Sequence, residues 1–173
     1  MRAYLDHNAT TPLRLEAREA MIAAMDVYGN PSSVHSEGRK AKSVLERARG
    51  DIASAFGADG ADVIFTSSAT ESAALALAGR KLHAADVEHD AVNAWTQNDL
   101  AVDAAGAIKI EDPAASCVQL ANSETGVVQT LLEGVAVSDR TQAFGKLPVA
   151  FNCTGSEKGG ERGGRGGGGQ GRG

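Results

Sequence analysis

The chain has 173 residues, 42% of them hydrophobic, and a formal net charge of −5, which suits one soluble globular domain large enough for a real core. The charge is uneven: Lys158, Arg162, Arg165 and Arg172 against Glu157 and Glu161 leave the last 22 residues at +2 and the first 151 at −7, so the body is not expected to be a general nucleic-acid binder. No apolar run is long enough for a membrane span and no signal-like stretch opens the chain, so the expected location is cytoplasmic.

In chain order, Tyr4-Leu5-Asp6-His7-Asn8-Ala9-Thr10-Thr11-Pro12 is a short apolar start running into a polar loop closed by proline. A helix is predicted from Leu15 to Tyr28, with Ala17, Met21, Met25 and Tyr28 on one stripe, ended by Gly29-Asn30-Pro31-Ser32-Ser33. A longer helix is predicted from Ser36 to Phe56, with Ala41, Val44, Leu45, Ala48, Ile52, Ala55 and Phe56 inward, stopped at Gly57. The β-branched run Val63-Ile64-Phe65 then turns through Thr66-Ser67-Ser68-Ala69-Thr70-Glu71-Ser72 into the Ala/Leu-rich segment ending at Gly79, the pattern of strand, tight turn and helix. Ala84 to Glu88 reads as a brief strand and His89 to Trp95 as a helical turn. Leu100 to Asp103 and Ala107 to Ile110 read as a hairpin about Gly106, and Cys117 to Ala121 and Gly134 to Asp139 as further strands. The dozen or so residues between these last two are close to the minimum for a parallel crossover, so the expected fold is α/β with a largely parallel sheet and flanking helices. Its functional loops are expected at the carboxyl ends of the strands.

Those ends carry Thr66, Ser67, Ser68 and Thr70; His89; Asn122 and Ser123; and Asp139, Thr141 and Gln142. Small hydroxyl residues before a helix start offer side-chain donors and free backbone N–H groups to an anion. The simpler alternative is an ordinary capped helix with Ser68 or Thr70 as N-cap and Glu71 in the first turn. His89 as a surface turn residue, Asp139 as a helix N-cap and Asn122 as a turn residue are the corresponding simpler alternatives. Together the four loops describe a pocket for a phosphorylated aromatic cofactor, with anion donors, a flat imidazole and a carboxylate for a ring nitrogen. Cys117 and Cys153 make neither a disulfide framework nor a metal cluster, and His7, His35, His83 and His89 lack metal-ligand spacing.

Six stretches in order, namely residues 4–12, 29–35, 65–72, 88–92, 122–126 and 139–149, resemble the signatures of the NifS/IscS-type cysteine desulfurases, class V members of the aminotransferase fold type I. The resemblance implies pyridoxal 5′-phosphate as cofactor and residues 1–151 as part of that family's cofactor-binding domain. In the complete family it implies a homodimer that converts L-cysteine to L-alanine, forms an enzyme persulfide and passes its sulfur to an acceptor protein for iron–sulfur cluster assembly. It makes Thr70 and the backbone of Ala69 phosphate ligands, with Ser68 where the family usually has glycine. His89 would stack on the pyridine ring as a catalytic residue, Asp139 would pair with the ring nitrogen, and Gln142 would hydrogen-bond the phenolic oxygen. Asn122 and Ser123 stand at the family's Asn-Asn-Glu-x-Gly motif, where the second asparagine contacts cofactor and substrate.

The departures follow Phe151. The family's Ser-x-His-Lys segment, whose lysine anchors the cofactor, has its nearest counterpart in Ser156-Glu157-Lys158, with glutamate before the lysine and a shorter spacing. Neither Cys117 nor Cys153 aligns with the family's nucleophilic cysteine, and the resemblance covers about half of the family's length, so impaired catalysis is expected. Residues 152–173 contain 11 glycines in 22 positions, a composition expected to be disordered. They resemble an RNA-binding Arg-Gly-Gly segment only weakly, and a slipped reading frame in GC-rich DNA is a hypothesis for their origin that the nucleotide sequence tests. The rival readings are a non-catalytic subunit that pairs with a full-length relative, and an RNA-associated protein acting through this tail.

Overall fold

The computed structural model describes residues 3–58 and 60–151, so Lys158, Cys153 and the glycine-rich tail lie outside the described residues. Its helices and strands run α1 (Leu15–Met25), α2 (Ser36–Ala55), α3 (Ala69–Leu77), β1 (His83–Ala84), α4 (Asp90–Asn93) and β2 (Gln97–Asn98), with a 3-10 turn at Pro113–Ala115. Among the described residues no helix is long and apolar enough to cross a membrane.

The sheet is small and parallel. β1 pairs with β2 in the register His83 to Gln97 and Ala84 to Asn98. Two parallel bridges, His83 to Ser116 and Cys117 to Val137, continue it across the chain. The bonds from Cys117 N to His83 O (2.8 Å), Val118 N to Val137 O (3.0 Å) and Leu120 N to Asp139 O (2.8 Å) hold the three inner segments together. Because strand side chains alternate, neighbours in sequence serve opposite faces. Ala84 and Cys117 join Leu77, Leu82 and Val92 in a core under α3 and α4. Ala85 and Val118 join Ile108 in a second core flanked by Leu100, Val102, Leu131 and Val135. A hairpin rather than a helix covers that second face, bridged antiparallel at Val102 and Ile108 and turned at Gly106, whose φ of 82° suits glycine.

The predicted α2 differs from the observed helix by one residue. The His35 ring accepts from Gly38 N, and a Cβ on Gly38 would lie 2.4 Å from Ser33 O and 2.7 Å from Asn30 O. Glycine is therefore required where the 29–33 loop wraps the start of this helix. Helix α1 stops at Met25 rather than Tyr28, in a turn from Val27 N to Ala24 O. It has no buried residue, and the predicted stripe Met21, Met25 and Tyr28 is exposed.

Four predicted strands are shortened or lost. Val63-Ile64-Phe65 is not a strand, because a strand exists only through backbone pairing and no described segment pairs with it. Phe65 instead lies under the Arg49 guanidinium, 5.0 Å from the ring centroid. The strand predicted over Ala84 to Glu88 ends at Ala84; Asp86 to Glu88 form a turn closed by Glu88 N to Ala85 O (3.0 Å). Gly134 to Asp139 pairs by a bridge at Val137 only, and Cys117 to Ala121 by isolated bridges at its two ends. The chain between them returns on itself through an antiparallel bridge from Ala121 to Val128. Strand β2, polar and two residues long, offers no hydrophobic alternation and was not predicted.

Candidate cofactor-binding site

Helix α3 begins at Ser68, whose hydroxyl accepts from Glu71 N (3.3 Å). The Glu71 carboxylate reaches back to Ser67, accepting from its backbone N–H and its hydroxyl at 2.6 Å each, a close relative of the reciprocal capping box. Those two bonds hold the Glu71 carboxyl below the usual carboxylate range. Thr66 Oγ1 donates to Ser68 O (3.0 Å) and contacts Ser72 Oγ (2.7 Å). The capped-helix alternative is met, with Ser68 as N-cap and Glu71 in the first turn. Ser67 is committed to Glu71, while the first-turn N–H groups of Ala69 and Thr70 have no intrahelical acceptor, as at any α-helix start, and both residues are exposed.

His89 is the N-cap of α4, its Nδ1 accepting from Ala91 N (3.1 Å). An accepting Nδ1 places the proton of the neutral ring on Nε2 and leaves the exposed ring face open. Asp139 uses Oδ1 to accept from Thr141 N (2.8 Å), capping the turn that follows, and its second oxygen stays available. Gln142 receives a bond from Lys146 Nζ on Oε1 (2.6 Å) and donates from Nε2 to Asn8 O (3.4 Å), which brings the 4–12 loop to this turn. Because an ammonium only donates, Lys146 fixes which end of the Gln142 amide is the donor.

Asn122 is 4% exposed. Its Nδ2 donates to Val87 O (2.7 Å) and its Oδ1 accepts from Glu124 N (2.9 Å) and Thr125 N (2.8 Å). Its amide therefore pins the 122–126 turn to the end of β1, as the turn-residue alternative has it. Ser123 is half-buried beside it, donating to Glu124 Oε1 at 3.2 Å.

A cavity of about 720 Å³ brings the two ends of this region together. Ala69, Ala73, Ala76 and Leu77 of α3 line one side, and Val137, Ser138, Asp139 and Thr141 the other, with Cys117 between them. Ser68, Thr70, His89, Asn122, Ser123 and Gln142 lie outside its lining, so of the predicted cofactor residues only Ala69 and Asp139 face it. Among the described residues no lysine lines it. The Cys117 thiol, fully buried, is pushed up to about 12 by burial and by the Glu88 and Asp139 carboxyls, against a lowering by Arg80. It is a neutral core group at physiological pH.

Glu88 is the residue that composition and spacing did not single out. It is 3% exposed, its Oε1 accepts from Gln119 N (2.7 Å), and its Oε2 is buried without a partner. Burial pushes its carboxyl up to about 7; the bond from Gln119 N opposes this and the Asp139 carboxylate adds to it. A glutamate directly before a predicted functional histidine was the available signal, and its burial is visible only in three dimensions.

The family profile described as Aminotransferase class-V matches residues 3–99. The chain is 35% identical to the "IscS-like cysteine desulfurase" of Mycobacterium tuberculosis (strain ATCC 25618 / H37Rv), over 88% of this chain and 49% of that protein. It is 33% identical to the "Selenocysteine lyase" of Bos taurus, over 86% of this chain and 44% of that protein. A solved structure titled "NIFS-LIKE PROTEIN" superposes with a TM-score of 0.70 at 28% identity, covering 87% of this chain and 52% of that one. The chain thus spans about half the length of the relatives it matches. With matching sequence, matching backbone and the six motifs in order, the chain belongs to the class-V aminotransferase family, in its NifS/IscS-type branch.

Proposed function

We propose that this chain binds pyridoxal 5′-phosphate at the carboxyl end of its sheet as a cysteine desulfurase-like protein, with the family's carbon–sulfur bond cleavage of L-cysteine impaired because neither Cys117 nor Cys153 aligns with the nucleophilic cysteine. The observation that carries the reading is one cavity lined by both Ala69 at the start of α3 and Asp139 beyond Val137. The donor set suits the cofactor. Ala69 N, Thr70 N and the hydroxyls of Ser68 and Thr70 hold the phosphate, with the positive end of the α3 dipole behind them. Asp139 presents its remaining oxygen to the ring nitrogen, His89 covers the ring face, and Gln142 donates to the phenolic oxygen through the amide end that Lys146 orients. Asn122 positions the turn carrying Ser123. When bound, pyridoxal 5′-phosphate supplies an electron sink for the substrate's α-carbon. Lys158 is the proposed anchoring amine. Residues 1–151 form the cofactor-binding part and residues 152–173 a tail. Its partners are a second copy of the chain or a full-length relative, and a sulfur acceptor in the cytoplasm.

Charge-assisted bonds to phosphate are worth about 1.5–3 kcal/mol each. Thr70→Val, which keeps the shape and removes the hydroxyl, is therefore expected to weaken pyridoxal 5′-phosphate binding roughly tenfold or more by equilibrium titration. Unchanged affinity would remove Thr70 from the phosphate site. Asp139→Asn is expected to leave the fold intact by circular dichroism while shifting the absorption and pH titration of the bound cofactor, because an amide no longer favours a protonated ring nitrogen. Identical spectra across pH would take Asp139 out of the site and with it the proposed reading.

A further inference from the structure

The carboxyl ends of three neighbouring segments meet around Glu88. The register Cys117 to Val137 sets Gln119 opposite Asp139, and Leu120 N bonds Asp139 O at 2.8 Å. Glu88 reaches from the turn after β1 to the backbone N–H of Gln119, across 31 residues of sequence. That turn is clamped from α4, where Asn93 Nδ2 donates to Asp86 O (3.2 Å) and Glu88 O (3.0 Å). Glu88 Oε2 is buried without a hydrogen-bond partner, as are Asn93 Oδ1, Gln119 Oε1 and Ser138 Oγ on the segments around it. A buried carboxylate with an unpartnered oxygen is costly, and protonation removes the charge that burial penalises. The charged group that acts on it is Asp139, from the segment after Val137, while the neutral Cys117 thiol of the neighbouring strand segment is itself raised by both carboxyls and lowered by Arg80. His89 follows Glu88 directly and is engaged with Ala91 N.

Of the two carboxyls, the buried one, Glu88, is the costlier to ionise and so holds a proton. We propose that Glu88 is a positioning residue of the cofactor site, a proton-bearing carboxyl that leaves the negative charge on Asp139 and gives up its proton when a cationic ring nitrogen binds there. The inference rests on the proposed cofactor reading. The proton leaves the Glu88 O–H for solvent, so that the carboxylates of Glu88 and Asp139 together face the added positive charge. Glu88 touches neither cofactor nor substrate; it acts through Asp139 and through the Gln119 backbone it holds.

The test is calorimetric titration of pyridoxal 5′-phosphate into the full chain and into Glu88→Gln, each in two buffers of different protonation enthalpy, which yields the protons exchanged per cofactor bound. Glutamine keeps an acceptor for Gln119 N and offers an N–H in place of the O–H, so a purely structural role predicts equal counts. The expected result is that at pH 7 the wild-type chain releases up to about half a proton more than Glu88→Gln, with the difference vanishing at higher pH where Glu88 is already ionised. Binding by both proteins with equal proton counts overturns the role of Glu88 and leaves the cofactor reading standing. No heat and no spectral change in either protein overturns both. An isotope-edited infrared difference spectrum of the wild-type chain with labelled glutamate gives a second reading independent of the variant's folding. Loss of a protonated-carboxyl band on cofactor addition supports the proposal, and a band that persists unchanged overturns it.

Discussion

Supplied with pyridoxal 5′-phosphate and L-cysteine, the 173-residue chain is expected to release sulfide and alanine no faster than the free cofactor does. The proposed reaction needs an amine that anchors the cofactor and moves the substrate's proton, and a positioned thiolate that attacks sulfur. Cys117 lines the cavity, but with its thiol pushed up to about 12, roughly one molecule in 100,000 carries the thiolate at pH 7. No lysine lines the cavity among the described residues. Lys158 lacks the family's preceding histidine and spacing, and Cys153 does not align with its nucleophilic cysteine; a reacting group without its positioning forfeits effective molarity worth roughly 7–11 kcal/mol of barrier. Loosely bound cofactor retains its own weak transamination and racemisation chemistry, which sets the background. Steady-state sulfide release, with Lys158→Ala and Cys153→Ser as controls, is the measurement. Turnover far above the free cofactor that disappears in either variant would show that residues 152–173 complete the site, and would overturn the expectation.

The second large effect is on stability. Glu88 has a carboxyl pKa of about 7 in the folded chain against an ordinary value of 4.5. Between those values the folded state binds more proton than the unfolded state, so stability falls as pH rises from 4.5 to 7. The contribution is complete below the unfolded value and gone above the folded one. The shift corresponds to about 3 kcal/mol, a large share of a small domain's stability. Glu88→Gln, which cannot ionise, is expected to flatten the denaturant-derived stability of the cofactor-free chain across this interval. At pH 8 it is expected to be more stable than the wild type, and at pH 5 to differ little from it. A wild-type profile that is already flat between pH 5 and 8, or a variant with the same slope, would show that Glu88 is ionised at no such cost. Asp139, whose carboxylate adds to the burial that raises Glu88, is also the group proposed for the ring nitrogen.

The extent of the branch resemblance also bears on the architecture. The alignment with the mycobacterial relative runs over 194 residues yet takes in 88% of a 173-residue chain, so gaps in this chain stand opposite residues of the relative. The connections between the parallel segments are short. A four-residue α4 precedes β2, and hairpin turns rather than helices connect the last parallel segments. The second core is therefore closed by side chains from a hairpin and a loop, namely Leu100, Val102 and Leu131.

Much of this molecule is written in local sequence. The start of α2 at His35, its stop at Gly57, the hairpin about Gly106 and the cap of α3 by Ser68 with Glu71 each depend on residues a few positions apart. Backbone φ preferences and side-chain caps act at that range, and so the predicted and observed positions agree closely. The six motif stretches likewise identified the family branch before any coordinates. Pairing and burial follow a different rule, because the partner is supplied by a distant part of the chain. Val63 to Phe65 has the composition of a strand and no described neighbour to pair with. The stripe on α1 has the spacing of a buried face and meets no described core. Asn122 looks like a ligand-facing amide, yet its donor is taken by Val87 O, 35 residues earlier in the chain. Glu88 looks like a surface glutamate and is buried because Gln119, on the neighbouring strand segment, brings its backbone N–H to meet it. Sequence alone determined the order of the four α-helices and the chemical types at the strand ends. The tertiary structure decided which of those groups are spent on the backbone and which face the cavity, since hydrogen-bond partners and dielectric surroundings are set by segments that meet only on folding.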